Sequence, residues 1–144
     1  MDKGKAFCVR RRIELATAGD SLTTTGAFGA TDIIEVFNAK IGMLILGCAI
    51  NVITAEGATL TVDVGDGDDD YGYLNAAALT TAAWYPVDAT YGGAYVGLNT
   101  PSLYLGKTYT AADTIDLTLN NAGGDTAVFD LYIYGIDFGY TPTA

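Results

Sequence analysis

The feature that most constrains this chain is an alternation of apolar and polar residues with a period of two, repeated along nearly its whole length. Ala58, Leu60, Val62 and Val64 alternate with Thr59, Thr61 and Asp63. Ile115, Leu117 and Leu119 alternate with Asp116 and Thr118. Successive side chains of a strand point to opposite faces, so this pattern places one face on a core and one in water. Near the N-terminus Phe7, Val9, Ile13 and Leu15 share a face that Arg11 interrupts, opposite Arg10, Arg12 and Glu14. In the last long run Val128, Asp130, Tyr132, Tyr134, Ile136 and Phe138 lie opposite Phe129, Leu131, Ile133 and Gly135. "KIGMLILGCAINVIT" is apolar on both faces, as in a central or interface strand.

Placed in order, these segments predict an all-β chain, a single jelly-roll-like β-sandwich of about eight antiparallel strands. "AEGA" (residues 55–58) and "NNAGGD" (residues 120–125) read as turns of two hairpins. "LNAAALTTAA" reads as a short helix or an irregular crossing, at most one short helix in the chain, since alanine favours it and Thr80 and Thr81 oppose it. Short strands are expected near "WYPVD" and "AYVGL", and a longer one over Ser102–Thr110. At 144 residues a single domain over 1–144 is expected, with a basic N-terminal segment at 1–12.

Five of the seven basic residues (Lys3, Lys5, Arg10, Arg11 and Arg12) fall in the first twelve positions, while the chain as a whole carries −10. That net charge repels phosphate and argues against nucleic acid as a partner. The basic end can dock on an acidic neighbour, or it can be a solvated strand with outward arginines. Charged residues make up only 17%, below the ~25% usual for globular domains. Small residues and ten tyrosines fill the difference, which suits a surface packed against other subunits. Tyr132, Tyr134 and Phe138 are the expected subunit interface, because the last strand is apolar on both faces. Trp84 with Tyr85 could instead stack on a sugar. No run is long enough to span a bilayer, so no membrane partner is expected. No signal peptide is visible, which points to synthesis in a cytoplasm with Cys8 and Cys48 reduced.

"VDVGDGDDDYGYL" packs Asp66, Asp68, Asp69 and Asp70 into five residues. Asp66, Asp68 and Asp70 match the first alternate positions of an EF-hand loop, but Tyr71 stands where its glycine belongs and Ala77 where its glutamate belongs. These three aspartates are therefore only weak metal candidates, against the simpler reading of an exposed Asp/Gly turn. No histidine occurs, which removes Ser-His and Cys-His catalysis and most zinc sites. Ser21 and Ser102 sit in no nucleophile elbow, and Glu14, Glu35 and Glu56 form no recognisable acid pair. The expectation is a protein that is not an enzyme and uses no cofactor.

"INVITAEGATLTVDVGDGDDDYGYLNAAAL" followed by "YTAADTIDLTLNNAGGDTAVFDLYIYG" resembles the small all-β virion proteins of tailed bacteriophages, among them capsid decoration (cement) proteins and head or tail fibre domains. The resemblance spans roughly residues 41–139. It implies a jelly-roll-like structural subunit of the virion, often a homotrimer, bound to the major capsid protein or other virion subunits. On that reading the chain is a decoration protein stabilising the head, with Arg10, Arg11 and Arg12 suited to docking on the shell. The alternative is a glycan-binding β-sandwich module of a fibre or adhesin.

Overall fold

The computed structural model describes residues 4–16, 28–29, 31–57, 59–86, 90–97, 105–121 and 124–139. Among them the strands are β1 (Lys5–Glu14), β2 (Ile33–Ala39), β3 (Met43–Thr54), β4 (Thr61–Asp66), β5 (Leu74–Ala78), β6 (Trp84–Pro86), β7 (Lys107–Thr108), β8 (Asp113–Asn120) and β9 (Val128–Asp137). One sheet runs β1-β9-β3-β6, with β7 also on β3, and the other runs β2-β8-β4-β5. All pairings are antiparallel. Setting the two-residue β7 aside, eight strands interleave from both ends of the chain into two four-stranded layers, the jelly-roll arrangement.

The core lies between the layers, where the inward residues of both sheets meet. Phe129, Leu131 and Ile133 of β9 face the layer that contributes Val64, Ile115 and Leu117, all essentially inaccessible to water. Each such side chain contributes about 1.5–3 kcal/mol through burial. The alternation seen in the sequence thus selects the inward face of β4 correctly, and of the two faces it separates on β9 the one with Phe129, Leu131 and Ile133 is inward.

Four local expectations are corrected. β3 and β4 are not a hairpin, nor are β8 and β9; each pair crosses from one sheet to the other. The alternation is satisfied equally when two strands lie side by side or face to face. The two crossing segments meet at the buried Glu56, whose Oε2 accepts the backbone N–H groups of Asp125 (3.2 Å), Thr126 (3.0 Å) and Ala127 (3.0 Å). One carboxylate therefore pins both crossings together.

The alanine-rich stretch after Tyr73 is strand β5 rather than helix. Ala76 takes a left-handed φ of 55°, and its N–H donates to Asp63 Oδ1 at 2.7 Å. Pairing with β4 overrides the helix propensity of alanine. Ala94–Val96 forms a 3-10 turn in place of a strand. Of the strand expected over 102–110, only Lys107–Thr108 is strand among the described residues, and positions 102–104 lie outside them. Gly106, at φ 90°, passes so close to β3 that a Cβ would meet the Ile45 carbonyl oxygen at 2.1 Å.

Candidate functional site

Asp66 continues the inward parity of Val62 and Val64, so its carboxylate enters the end of the core instead of solvent. It is only 4% exposed. The loop after it folds back over Gly65, where a Cβ would lie 1.9 Å from the Asp69 carbonyl oxygen. Asp66 Oδ1 accepts Tyr95 Oη at 2.8 Å and the backbone N–H groups of Asp68 and Asp69 at 3.1 and 3.2 Å. Its Oδ2 accepts Tyr109 Oη at 2.6 Å and Lys107 Nζ at 2.7 Å. Lys107 Nζ also reaches Asp68 Oδ2 at 2.8 Å and lies over the Tyr95 and Tyr109 rings at 4.7 and 5.1 Å. Tyr73 Oη and Tyr109 Oη share a hydrogen bond of 2.9 Å.

Burial opposes ionisation of Asp66, but hydrogen bonds from Lys107, Tyr109 and Tyr95 outweigh it and hold the carboxyl below the usual carboxylate range. Burial works against the Lys107 ammonium too, and Asp66 and Asp68 reverse the balance and raise its pKa. Tyr95 is pushed up to about 12 by burial and by its bond to Asp66.

The structure brings Asp66 and Asp68 together with Asp113, carboxylate oxygens lying within 4.8 Å of one another. Asp70 is exposed and stands outside that group. The Lys107 ammonium already bridges Asp66 and Asp68. The chain thus supplies its own cation between two of these three carboxylates. Both Asp66 oxygens are engaged by fixed donors, so the carboxylate is a tether and is poorly placed to exchange protons with a substrate.

The remaining sequence-predicted residues lie on one sheet. Directly paired residues of antiparallel strands share a face. The outer face of the β1-β9-β3-β6 sheet therefore reads as rows across the strands. One row is Arg12, Asp130, Asn51 and Trp84; the next is Arg10, Tyr132, Ala49 and Pro86; then come Cys8, Tyr134 and Gly47, and Ala6, Ile136 and Leu44. Trp84 is 58% exposed and stacks on Tyr132 with ring centroids 5.6 Å apart. Phe138, just beyond β9, is 49% exposed. Tyr85, paired with Trp84 in the sugar-stacking expectation, instead points inward and is buried.

The three arginines divide between two directions. Arg12 holds Asp130 with two hydrogen bonds of 2.8 and 3.0 Å, and Arg10 Nη2 reaches the same carboxylate at 3.0 Å. The hydrogen bond from Arg12 outweighs burial and, with Arg10, keeps the Asp130 carboxyl below the usual range. Arg11 points into the gap between the layers, where its Nε donates to the Val36 carbonyl at 2.9 Å. The outer face of the other sheet is of opposite character: Glu35 and Asp116 are directly paired across β2 and β8, and Ile33, Thr118 and Asp63 form the adjacent row.

Sequence reasoning missed Glu56, Asp130, Lys107 and the tyrosines around Asp66. A signal for Lys107 was present: it is the sole basic residue after Lys40 in an otherwise acidic chain.

A jelly-roll sandwich with an apolar, arginine-bearing outer face is the class of protein these observations define. No protein-family model matches the chain, and no curated protein sequence matches it. Among solved structures it is similar to a chain of the cyanophage Pam1 capsid asymmetric unit, with a TM-score of 0.61 and 17% identity over 92% of this chain and 85% of that one. A chain of the acidic stable capsid structure of Helicobacter pylori bacteriophage KHP30 aligns with a TM-score of 0.48 and 12% identity, over 91% and 86% of the two chains. The resemblance to small all-β phage virion proteins thus holds at the level of the fold.

Proposed function

We propose that the chain is a structural protein of a phage virion, a decoration (cement) subunit that binds across joints of the head shell. The observation that carries this reading is the contrast between its two outer faces. One is aromatic and apolar with arginines along its edge; the other sets Glu35, Asp116, Asp63 and Thr118 around one exposed apolar side chain, Ile33. A free monomer gains nothing from exposing Trp84 and Phe138 on one side, whereas a subunit packed against neighbouring copies and the shell buries that face and leaves the acidic one to solvent. The shared fold with a chain of a phage capsid supports the reading. Tyr132, Tyr134 and Phe138 form the packing surface toward other copies, in a trimer, and Arg10, Arg11 and Arg12 mark the strand that meets the shell. A stable contact of this kind buries about 1,600 Å² in total.

Purified virions of the source phage, analysed by mass spectrometry, should contain the chain in stoichiometric amounts, and light scattering should give three times the monomer mass in solution. Virions lacking the chain would overturn the structural role. A monomer would overturn the trimer alone.

A second reading has one observation in its favour. The exposed Trp84 indole, steadied by Tyr132 and paired directly with Asn51, is an aromatic platform beside a polar side chain, which suits a sugar ring. Trp84 is the single tryptophan, so its fluorescence should quench on titration with the right glycan. A flat response across a broad panel removes this reading.

A further inference from the structure

A sandwich has four sheet edges, and here β1, β2, β5 and the short strands β6 and β7 together occupy them. Three are blunted. β6 is three residues long and ends at Pro86, which has no N–H to donate. β2 carries a bulge between Glu35 and Phe37, and the Val36 carbonyl is capped by Arg11. β5 is kinked at Ala76 and covered by the segment after β6, through the Leu74–Gly92 bridge and the hydrogen bond from Asn75 N–H to the Tyr91 carbonyl. β1 has no proline, bulge or cover; what guards it is charge, Lys5, Arg10, Arg11 and Arg12, which repels a like-charged strand and leaves the edge open to an acidic one. The strand is ten residues long and keeps an unbroken register with β9 from Lys5–Asp137 to Glu14–Val128. Among the described residues no named strand pairs with its other edge along residues 5–13. An open strand edge recruits another strand through its backbone N–H and C=O groups, and the charge on the edge decides which.

We propose that β1 accepts an extended acidic segment of a neighbouring protein as an added strand. The charge selects the occupant. β1 holds Lys5, Arg10, Arg11 and Arg12 against Glu14, a net +3, in a chain of net −10. Arg10 and Arg12 share the outer face, two guanidiniums against the single Asp130 carboxylate, with side chains 51% and 45% exposed. A strand with carboxylates at alternate positions sets them beside these arginines while its backbone completes the ladder. A second copy of β1 does not fit, because it would bring two +3 strands edge to edge. The supplier of the segment rests on the docking reading above and is a shell subunit.

The test uses the whole chain and capped eight-residue peptides, followed by hydrogen exchange resolved to single amides. A peptide alternating Glu and Val should slow exchange of those β1 amides that are not bonded to β9 by about tenfold or more at saturation, about 1.4 kcal/mol in the opening equilibrium. The same peptide with Lys for Glu, or with alternate amides N-methylated, should leave β1 unprotected. Arg10→Glu should weaken the Glu/Val peptide by about tenfold without changing the fold. Protection that is absent with the Glu/Val peptide, equal with the Lys peptide, or already present through β1–β1 dimers would each overturn the inference. Virions that contain the chain while β1 stays unprotected would overturn the strand addition and leave the structural role standing. Protected β1 in a chain absent from virions would do the reverse to the two readings, overturning the shell subunit as supplier.

Discussion

Lys107 Nζ lies 2.7 Å from Asp66 Oδ2 at the end of the core, and the pair joins the five-stranded sheet to the four-stranded one. The carboxylate is buried and the ammonium mostly so, with side-chain exposures of 0% and 19%. Removing one partner of such a pair leaves a charge without compensation. Lys107→Met should lower stability by about 3–5 kcal/mol. The double variant Lys107→Met/Asp66→Asn should recover part of that loss. Chemical denaturation of the four chains in a double-mutant cycle measures the coupling. With the ammonium in place, EDTA should leave the melting temperature unchanged.

Asp66, Glu56 and Asp130 all have carboxyl pKa values held below their ordinary range. For Glu56, burial pushes upward and is outweighed by the N–H groups of Thr126, Ala127, Gly57 and Asp125. A carboxyl with a depressed folded-state pKa binds fewer protons in the native state than in the unfolded one. Its stabilisation is complete above the unfolded value, about pH 4, and is lost as pH falls through the folded value. Stability should therefore be flat from neutral pH down to about 5 and fall steeply below 4. Equilibrium unfolding followed by circular dichroism between pH 2 and 7 checks this. Stability that rises on acidification below 4 would contradict the three anchored carboxylates.

Asp116 has the opposite sign. Burial, with Glu35, Asp113 and Asp66 nearby, raises its pKa despite a hydrogen bond from Thr114. Its Oδ1 is shielded from water and has no hydrogen-bond partner, and its directly paired neighbour is Glu35. Like charges placed opposite across two strands cost stability. Asp116→Asn should stabilise the chain at neutral pH by about 0.5–1 kcal/mol. The gain should shrink as pH falls through the raised pKa of native Asp116, because the proton removes the repulsion that the substitution relieves. Thermal melts of the two chains at pH 7 and 4.5 report both effects.

Glu56→Ala removes the acceptor of three backbone N–H groups in the crossing from β8 to β9. Leaving such donors unpaired costs about 1–3 kcal/mol. Exchange of the amides of Asp125, Thr126 and Ala127 should accelerate more than that of the β4 amides. Uniform acceleration would mean that Glu56 contributes to global stability only, without anchoring that crossing.

Much of the architecture is legible from the residues alone. The alternation in β4, β8 and β9 assigns each side chain to the core or the outside, because a strand's period of two is a property of its own backbone. The density of such segments gives the sandwich. Arg10, Arg12 and the tyrosines of β9 fall on one face of the folded sheet, while Arg11 turns toward the gap between the layers.

Alternation says which way a side chain points and nothing about which strand lies beside it. The crossings after β3 and β8 therefore appear only in the tertiary structure, where the carboxylate of Glu56 meets three amides about seventy residues away in sequence. The same holds for the aspartate loop. Asp66, Asp68 and Asp70 look equivalent in sequence, and only folding separates them. One continues the inward parity of β4 into a cage of two tyrosines and a lysine more than twenty-five residues distant, one bonds the same lysine from the surface, and one remains in water. A buried charge is stable only where its partners converge, and that convergence is set by long-range packing, which no local spacing encodes.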